Sequence, residues 1–378
     1  MLEGVVRKPV GDRVPLRYHA ETIRALGVNP GTLFSFIPIP IPKAVGTATS
    51  RDDGKKFIMV RFPRSSHGGA HGIRIMKDDR SWKKDTLDRT AILVLVALCA
   101  SWGLQQVTIK IANQGVSPVW QSGIRSAGST VLLLIWMVVR RRPLLEKDGT
   151  LWYGILAGLL FGVEFLLIYW GLEFTNASRA VVFLYLSPFV VAIGAHRFLP
   201  GEKLRMIQVA GLCSAFAGIM AVFYESLTLP TYRILIGDCM LAAAALLWGA
   251  TTVLIKATPL AKIAPGKTLL YQLAVSAVLL PLGSVAMGEP GIVRLTPWIV
   301  GCLVYQTVWV AFITYLAWFW LVRHYPASRL ASFTFLTPLF GVIAGGMLLR
   351  EPITGLLLLA LVLVGTGIYL VNRPAVRS

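Results

Sequence analysis

Two charged residues lie within long apolar stretches of this sequence. Arg125 lies six residues inside the second apolar run, and Glu164 lies nine residues from the far end of the third. A charge in hydrocarbon costs at least about 2.5 kcal/mol, so such residues usually face a cavity or a charged partner. In helices these positions would be about 9 and about 13 Å deep, within reach of an Arg side chain. We therefore predict that Arg125 and Glu164 meet near a cavity.

The chemistry open to these two groups is binding and proton exchange. Arg125 would hold a substrate carboxylate or pair with Glu164, and Glu164 would bind a substrate amine or exchange a proton. A static ion pair that joins two helices is the alternative interpretation. Gln272 is the repeat equivalent of Arg125, and no carboxylate in the eighth apolar run matches Glu164. The predicted cavity is therefore asymmetric in charge.

A second set of candidates is aromatic or polar, as expected of a cavity that takes amphipathic small molecules. Interfacial belts and helix–helix hydrogen bonds are alternative roles for the same residue types. Pro188 and Pro338 lie mid-helix, where each removes a backbone hydrogen bond and acts as a hinge or as a fixed bend. The binding candidates in this set are Trp102, Gln105, Gln106, Trp248, Tyr271, Gln272, Gln306 and Trp309.

The composition excludes most soluble folds. The chain is 55% hydrophobic and only 15% charged, against roughly 25% charged in ordinary soluble domains. Its four cysteines lie inside apolar runs without metal-ligand spacing, and no metal or cofactor is predicted. Apolar runs of about 20 residues are long enough to cross a bilayer as helices. The ten predicted spans are 91–111, 118–139, 151–173, 178–199, 204–224, 234–256, 266–287, 297–322, 327–349 and 353–371.

The spans form two related sets of five. NASRAVVFLYLSP at 176–188 and PASRLASFTFLTP at 326–338 share six of thirteen residues without a gap. Because five is odd, the second set must enter the membrane from the opposite side. The predicted fold class is an all-α polytopic membrane protein, with ten transmembrane helices in two inverted five-helix repeats. Further matched pairs are Trp102-Gly103 with Trp248-Gly249, Lys110 with Lys256, Pro118 with Pro265, and Glu202 with Glu351.

The distribution of charge predicts the orientation. If the N-terminus is cytoplasmic, the inside loops and tail after residue 90 carry 14 Lys and Arg, and the outside loops carry five. This positive-inside bias places both termini in the cytoplasm. The predicted domains are a basic, poorly ordered cytoplasmic extension (1–89), the first repeat (90–224), a linker (225–233), the second repeat (234–372) and a cytoplasmic tail (373–378). Translation from Met76 is an open alternative for the start.

These features together resemble the drug/metabolite transporter superfamily, EamA type. The resemblance rests on the ten spans, the Trp-Gly pair in the first helix of each half, the Pro inside the fourth helix, and Gly201-Glu202 or Arg350-Glu351 before the fifth. It covers about residues 90–372, and the N-terminal extension departs from it. The resemblance implies export or exchange of small metabolites across the plasma (inner) membrane, through a central cavity between the halves.

The predicted function is a secondary transporter that exports small metabolites, such as amino acids or drug-like compounds, by alternating access. No phosphate-binding loop or ATPase motif is present, so the transport is not ATP-driven. The predicted partners are a small-molecule substrate and the lipid bilayer, with no nucleic acid. Proton coupling and a homodimer are both compatible with the sequence.

Two other functions are weighed against this one. An exchanger of nucleotide sugars or phosphorylated sugars would need several cavity-facing Lys or Arg, for which Lys110 and Lys256 are candidates near span ends. A membrane-embedded enzyme is more remote, since it would need a nucleophile with a base, a metal cluster or paired acids. Past residue 90 the only histidines are His196 and His324, both at span ends. No catalytic residue is predicted.

Overall fold

The computed structural model describes residues 86–142, 148–226, 229–350 and 355–373 in full, and before residue 86 it describes five strands alone. The chain divides into two compact units, Met1–Lys83 and Lys84–Ser378. Glu351, Lys147 and the tail after residue 373 lie outside the described residues.

The first unit contains two small antiparallel sheets that the sequence analysis did not predict. One sheet has the order β1-β2 and the other β3-β4-β5. Segments such as KFIMVR are rich in the β-branched, aromatic and other apolar residues that favour strands. Met76, the alternative start, pairs with Ile58 in the second sheet. The poor order predicted for residues 1–89 stays a prediction. The strands are β1 (Leu2–Arg7), β2 (Arg13–Tyr18), β3 (Ala44–Thr49), β4 (Lys56–Arg61) and β5 (Ile73–Lys77).

The second unit is all-α, as predicted. In its described part nine helices are long and apolar enough to cross a membrane, and a tenth apolar helix has 17 residues. Short 3₁₀ turns follow the fifth helix (Tyr224–Ser226) and the sixth (Pro259–Lys262). The ten helices are α1 (Arg89–Ala112), α2 (Pro118–Val139), α3 (Leu151–Gly171), α4 (Ala177–Phe198), α5 (Met206–Phe223), α6 (Tyr232–Ala257), α7 (Pro265–Ala286), α8 (Pro297–His324), α9 (Ala327–Leu349) and α10 (Leu356–Asn372).

Three of these helices are irregular. Helix α4 consists of Ala177–Leu184 and Ser187–Phe198, and α9 consists of Ala327–Phe333 and Leu336–Leu349. Pro188 and Pro338 therefore lie in the first turn of a second helical piece rather than in mid-helix. A missing N–H costs nothing in a first turn, where it would have no partner within the helix. Helix α8 carries a π-helical stretch at Tyr305–Thr314, between α-helical ends.

Local sequence accounts for several helix starts. The Asp88 carboxylate accepts a hydrogen bond from the Ala91 amide at 2.9 Å, and the Asn176 side chain accepts one from the Arg179 amide at the same distance. These N-caps satisfy amides that have no partner within their helices. Helices α2 and α7 instead begin at Pro118 and Pro265, the position that proline favours.

The helices pack with the symmetry expected of an inverted repeat. Helix α1 packs on α9, and its counterpart α6 packs on α4. Helix α3 contacts α6 and α7, and its counterpart α8 contacts α1 and α2. The remaining large interfaces, α2 with α7 and α5 with α10, join a helix to its own counterpart. Each interface therefore maps onto another, or onto itself, when the two halves are exchanged.

The repeated Trp-Gly pair follows from this packing. A Cβ added to Gly103 in α1 would lie 2.6 Å from the Cβ of Phe340 in α9. A Cβ added to Gly249 in α6 would lie 2.5 Å from the Cβ of Val190 in α4. Both distances are shorter than real contacts. A glycine therefore recurs in each half, because the first helix of one half lies against the fourth helix of the other.

An acidic loop residue from each half also contacts a helix start in the other half. The Glu289 carboxylate accepts hydrogen bonds from the Val119 and Trp120 amides, each at 3.0 Å. The Asp148 carboxylate lies 2.7 Å from the Lys267 ammonium group near the start of α7. Each contact places a negative charge close to a helix N-terminus, where the helix dipole favours it.

We expect the Asp148–Lys267 contact to make the fold sensitive to acid. Burial acts to raise the pKa of Asp148, but hydrogen bonds from Lys267 and Thr150, with the Lys267 charge, lower it from 3.8 to about 2. Because the pKa is lower in the folded state, the stabilisation is present above pH 4 and is lost as the pH falls towards 2. Thermal unfolding from pH 5 to pH 2 should show a smaller loss of stability for Asp148→Asn. An equal loss in both proteins would contradict this.

Candidate binding cavity between the two halves

A cavity of about 190 Å³ lies between the two halves. Seven helices contribute to it, namely α1, α3, α4, α6, α7, α8 and α9. In the described part of the chain, its walls combine nine aromatic side chains with a few hydroxyls, amides and one carboxyl group, a composition typical of small-molecule sites. The lining residues are Trp102, Gln105, Gln106, Ile109, Phe161, Glu164, Phe165, Ile168, Tyr169, Leu172, Leu184, Tyr185, Trp248, Thr251, Thr252, Ile255, Gln272, Tyr315, Trp318, Phe319 and Thr337.

The aromatic wall is fixed by contacts across the two halves. Trp102 of α1 makes edge-to-face contacts with Tyr315 and Trp318 of α8, at centroid distances of 6.2 and 5.5 Å. Its indole N–H donates a hydrogen bond to the Thr314 hydroxyl at 2.9 Å. Such ring pairs are favourable beyond the area they bury. The ring of Trp102 is therefore held in one orientation at the cavity.

Glu164 is the one charged side chain among the described residues that line the cavity. Its helix, α3, lies close to α7 because glycines face that helix. A Cβ added to Gly158 would lie 2.7 Å from the Tyr271 carbonyl oxygen. Glu164 itself is 5% exposed. Among the described residues no ion pair to its carboxylate is found within 4.0 Å, so the group is available to a ligand in the cavity.

Arg125 lies behind the cavity wall and does not form the predicted ion pair with Glu164. Its guanidinium carbon lies 4.4 Å from the centroid of the Phe165 ring, and its Nη2 donates to the Ser122 hydroxyl at 3.2 Å. Adjacent residues on a helix point about 100° apart, so Phe165 and Glu164 point in different directions. Phe165 is the one that contacts Arg125. The two groups are close enough to interact electrostatically without forming an ion pair.

The structure brings most of the other predicted residues together at the cavity. These are Trp102, Gln105, Gln106, Trp248 and Gln272. Their presence there agrees with the location that we predicted, and their role in binding stays a prediction.

Three predicted residues lie elsewhere. The Tyr271 ring packs against Gly154, with its hydroxyl 3.2 Å from that of Thr150. Gln306 is fully buried and donates to the Gln121 side chain at 3.1 Å. Trp309 is 45% exposed on the outer surface. The π-helical stretch changes the turn of α8, so Gln306 and Trp309 do not share a face as an α-helix would predict.

Several lining residues were not predicted. Phe161, Phe165 and Tyr169 follow one another at four-residue spacing, on the side of α3 that carries Glu164. Residues four apart lie on one face of a helix, so this spacing could have predicted an aromatic face on α3. Tyr185 corresponds to Phe335 in the repeat, so an aromatic residue recurs there in both halves. Tyr315, Trp318 and Phe319 follow the π-helical stretch, and no such signal pointed to them.

Two tryptophans provide a test of the cavity's location. Trp102→Ala should lower transport about tenfold or more, because it removes a ring that lines the cavity and orders Tyr315. Trp309→Ala should change transport less than twofold, because Trp309 faces outward and its N–H contacts only Ser101, at 3.0 Å. Export rates normalised to the amount of protein in the membrane would check this. Equal losses in both variants would place the pathway elsewhere.

No lysine, arginine or histidine is among the described residues that line the cavity. Lys110 and Lys256, the candidates for a phosphate site, are not lining residues. Lys256 instead forms an ion pair with Glu202 at 3.1 Å, and Glu202 accepts a hydrogen bond from the Ala327 amide at 2.8 Å. These groups tie together the ends of α6, α9 and the α4–α5 loop.

Comparisons with known proteins agree with this architecture. The model of the EamA-like transporter family matches residues 89–224 and 235–373. The "Probable amino-acid metabolite efflux pump" of Escherichia coli (strain K12) is 26% identical over 74% of this chain and 92% of its own length. The "Uncharacterized transporter YvbV" of Bacillus subtilis (strain 168) is 28% identical over 76% and 92%. One solved crystal structure has the same fold, with a TM-score of 0.64 at 16% identity, over 75% of this chain and 96% of that one.

Proposed function

The chain belongs to the EamA-like transporter family, and from this we propose that it is a secondary transporter exporting small amine-bearing metabolites, such as amino acids or drug-like amines. Transport proceeds by alternating access, with the cavity opening to one side of the membrane and then to the other. The multi-pass protein lies in the plasma (inner) membrane with both termini in the cytoplasm, as the positive-inside distribution of charge supports.

The observation that carries the proposal is the pairing of Glu164 with an aromatic wall. A carboxylate offers an ammonium group a charge-assisted hydrogen bond. The faces of Trp, Tyr and Phe rings attract cations, more strongly where water is excluded. Gln105, Gln106 and the threonines of α6 supply hydrogen bonds to the rest of a polar metabolite. The site is therefore suited to a cationic or zwitterionic amine with an apolar side chain.

The same lining disfavours the alternative substrates, nucleotide sugars and phosphorylated sugars. Phosphate recognition in proteins relies on arginine, lysine or helix N-termini. The described lining residues include no cation, and the carboxylate of Glu164 would repel a phosphate. An exchanger of such compounds would need the opposite charge at this position.

Glu164 is also the group we propose for coupling to protons. It lies in the cavity without an ion-pair partner among the described residues, so a proton and a substrate amine can compete for it. Pro188 and Pro338 lie at the breaks in α4 and α9, and we propose these breaks as the hinges of alternating access. The homodimer stays a prediction from the sequence.

A metabolite profile of cells tests the proposal. We would express the intact chain and an empty vector, and compare medium and cytoplasm for amino acids, other amines and phosphorylated sugars. We expect at least one amine to accumulate in the medium only when the intact chain is present. Movement of phosphorylated sugars, with no change in any amine, would overturn the proposed substrate class.

A further inference from the structure

Arg125 is a buried cation whose hydrogen-bonding capacity is largely unused. It is 1% exposed, and in the part of the chain that the structure describes neither its Nε nor its Nη1 atom has a hydrogen-bond partner. Its Nη2 contacts only a neutral hydroxyl, and the Phe165 ring covers its plane. Burying an unpaired charge is costly, so an apolar residue would be more favourable at this position if the side chain served only to pack the helices. A buried guanidinium with unused N–H donors is suited to binding an anion.

Arg125 has several polar neighbours on its own helix, and among the described residues no acid lies within 4.0 Å of it. Fully buried side chains along the same side of α2 are Gln121, Ser122, Ser126 and Ser129. The Ser126 hydroxyl has no hydrogen-bond partner among the described residues. The Gln121 amide and the Ser129 hydroxyl already donate hydrogen bonds within the protein. The Ser126 hydroxyl and the unused N–H groups of Arg125 are therefore the donors that this part of α2 offers to an anion.

The site lies next to the cavity. Phe165 both lines the cavity and stacks on the guanidinium, so one ring separates the two spaces. Arg125 is also near enough to the cavity for its charge to act electrostatically on Glu164, Tyr169 and Tyr315, three lining residues. A rotation of the Phe165 side chain would expose Arg125 to a ligand that Glu164 holds by its amine.

We propose that Arg125 is a carboxylate-binding subsite, and that the Phe165 ring closes it off from the cavity until a substrate carboxylate displaces the ring. The inference rests on the proposed export of amines and adds a basis for selectivity among them. An amine that also carries a carboxylate makes two charged contacts, one at Glu164 and one at Arg125. An amine without a carboxylate makes one contact and leaves the ring closed.

Matched ligands separate the two contacts. We would purify the full chain in lipid nanodiscs and measure binding by titration calorimetry. The ligands are L-phenylalanine, its methyl ester and 3-phenylpropanoate, with the corresponding set built on L-leucine. We expect at least one free amino acid to bind tenfold or more tightly than its ester. Arg125→Gln should remove that difference and change the affinity for the ester less than twofold.

A second pair of variants covers the case in which Arg125→Gln does not fold. Phe165→Ala removes the ring that a substrate carboxylate has to displace. The affinity for the amino acid, divided by the affinity for its ester, should therefore rise at least threefold. Phe319→Ala is the matched control, because Phe319 lines the cavity from α8 and, among the described residues, its ring makes no contact with that of Phe165, so the ratio should stay unchanged. Equal changes in the ratio for both variants would overturn the role of Phe165.

If Arg125→Gln weakens the amino acid and the ester equally, Arg125 acts through Glu164 or through the fold, and the subsite is overturned. If the intact chain binds an ester as tightly as its amino acid, the subsite is overturned while the proposed export of amines stands. If none of the six ligands binds to a chain that exports an amine in the metabolite profile, the subsite is overturned while the proposed export stands.

Discussion

Glu164→Gln should reduce export at least tenfold while the protein reaches the membrane in normal amounts. The substitution keeps the size and shape of the side chain and removes its charge. A neutral amide cannot form a charge-assisted contact with an ammonium group, and it cannot release a proton. Glu164 is the one acid among the described residues that line the cavity, so no other described lining residue can supply the missing carboxylate. Export rates normalised to the protein in the membrane would measure the effect.

The matched control is Glu173→Gln, which makes the same change at an exposed position just beyond the end of α3. We expect this variant to export at the normal rate. Normal transport by Glu164→Gln would contradict the role of Glu164 in both binding and coupling. A variant that fails to reach the membrane would instead show that Glu164 stabilises the fold.

Asp238→Ala should be the most destabilising single change, at about 3–5 kcal/mol. Asp238 of α6 forms a buried ion pair with Arg179 of α4, in which the Arg179 Nε lies 3.1 Å from Oδ2 and the Nη2 group also contacts that oxygen. The Thr175 hydroxyl donates to the same carboxylate at 2.9 Å. Removing the acid would leave the Arg179 charge buried at the interface between the two halves. Thermal unfolding in detergent would measure the loss.

A double variant separates the ion pair from simple loss of packing. Arg179→Met with Asp238→Leu replaces both charges by apolar groups, and it should recover much of the stability lost in Asp238→Ala. Such recovery would show that the cost comes from the unpaired charge. If Asp238→Ala unfolds at the same temperature as the intact chain, the ion pair does not stabilise the interface.

The sequence predicted the large features of the fold because they follow from local properties. A run of about 20 apolar residues must form a helix in a bilayer, so the spans could be placed to within a few residues. The match between 176–188 and 326–338 established the two halves. The Trp-Gly pairs marked helix contacts that glycine alone permits. Glu164 could be predicted as a cavity residue because an acid within a membrane span is costly and usually faces a cavity or a charged partner.

The features that the sequence did not predict depend on tertiary packing. The ring of Phe165 lies over Arg125, so two charges at similar depth do not meet. Tyr271 packs on Gly154 of α3, a contact that no span boundary indicates. The π-helical stretch redirects Gln306 and Trp309, and its turn length cannot be read from apolar periodicity. In each case the neighbouring helix decides where a side chain points.

The most direct test of the central claim uses the purified chain in proteoliposomes. Vesicles loaded with an unlabelled amino acid would be diluted into the same labelled compound, and a parallel set would contain a phosphorylated sugar. The proposed function predicts that the labelled amino acid accumulates in vesicles with the chain and not in empty ones. It also predicts no accumulation of the sugar phosphate. Exchange of the sugar phosphate, with none of any amine, would contradict the account.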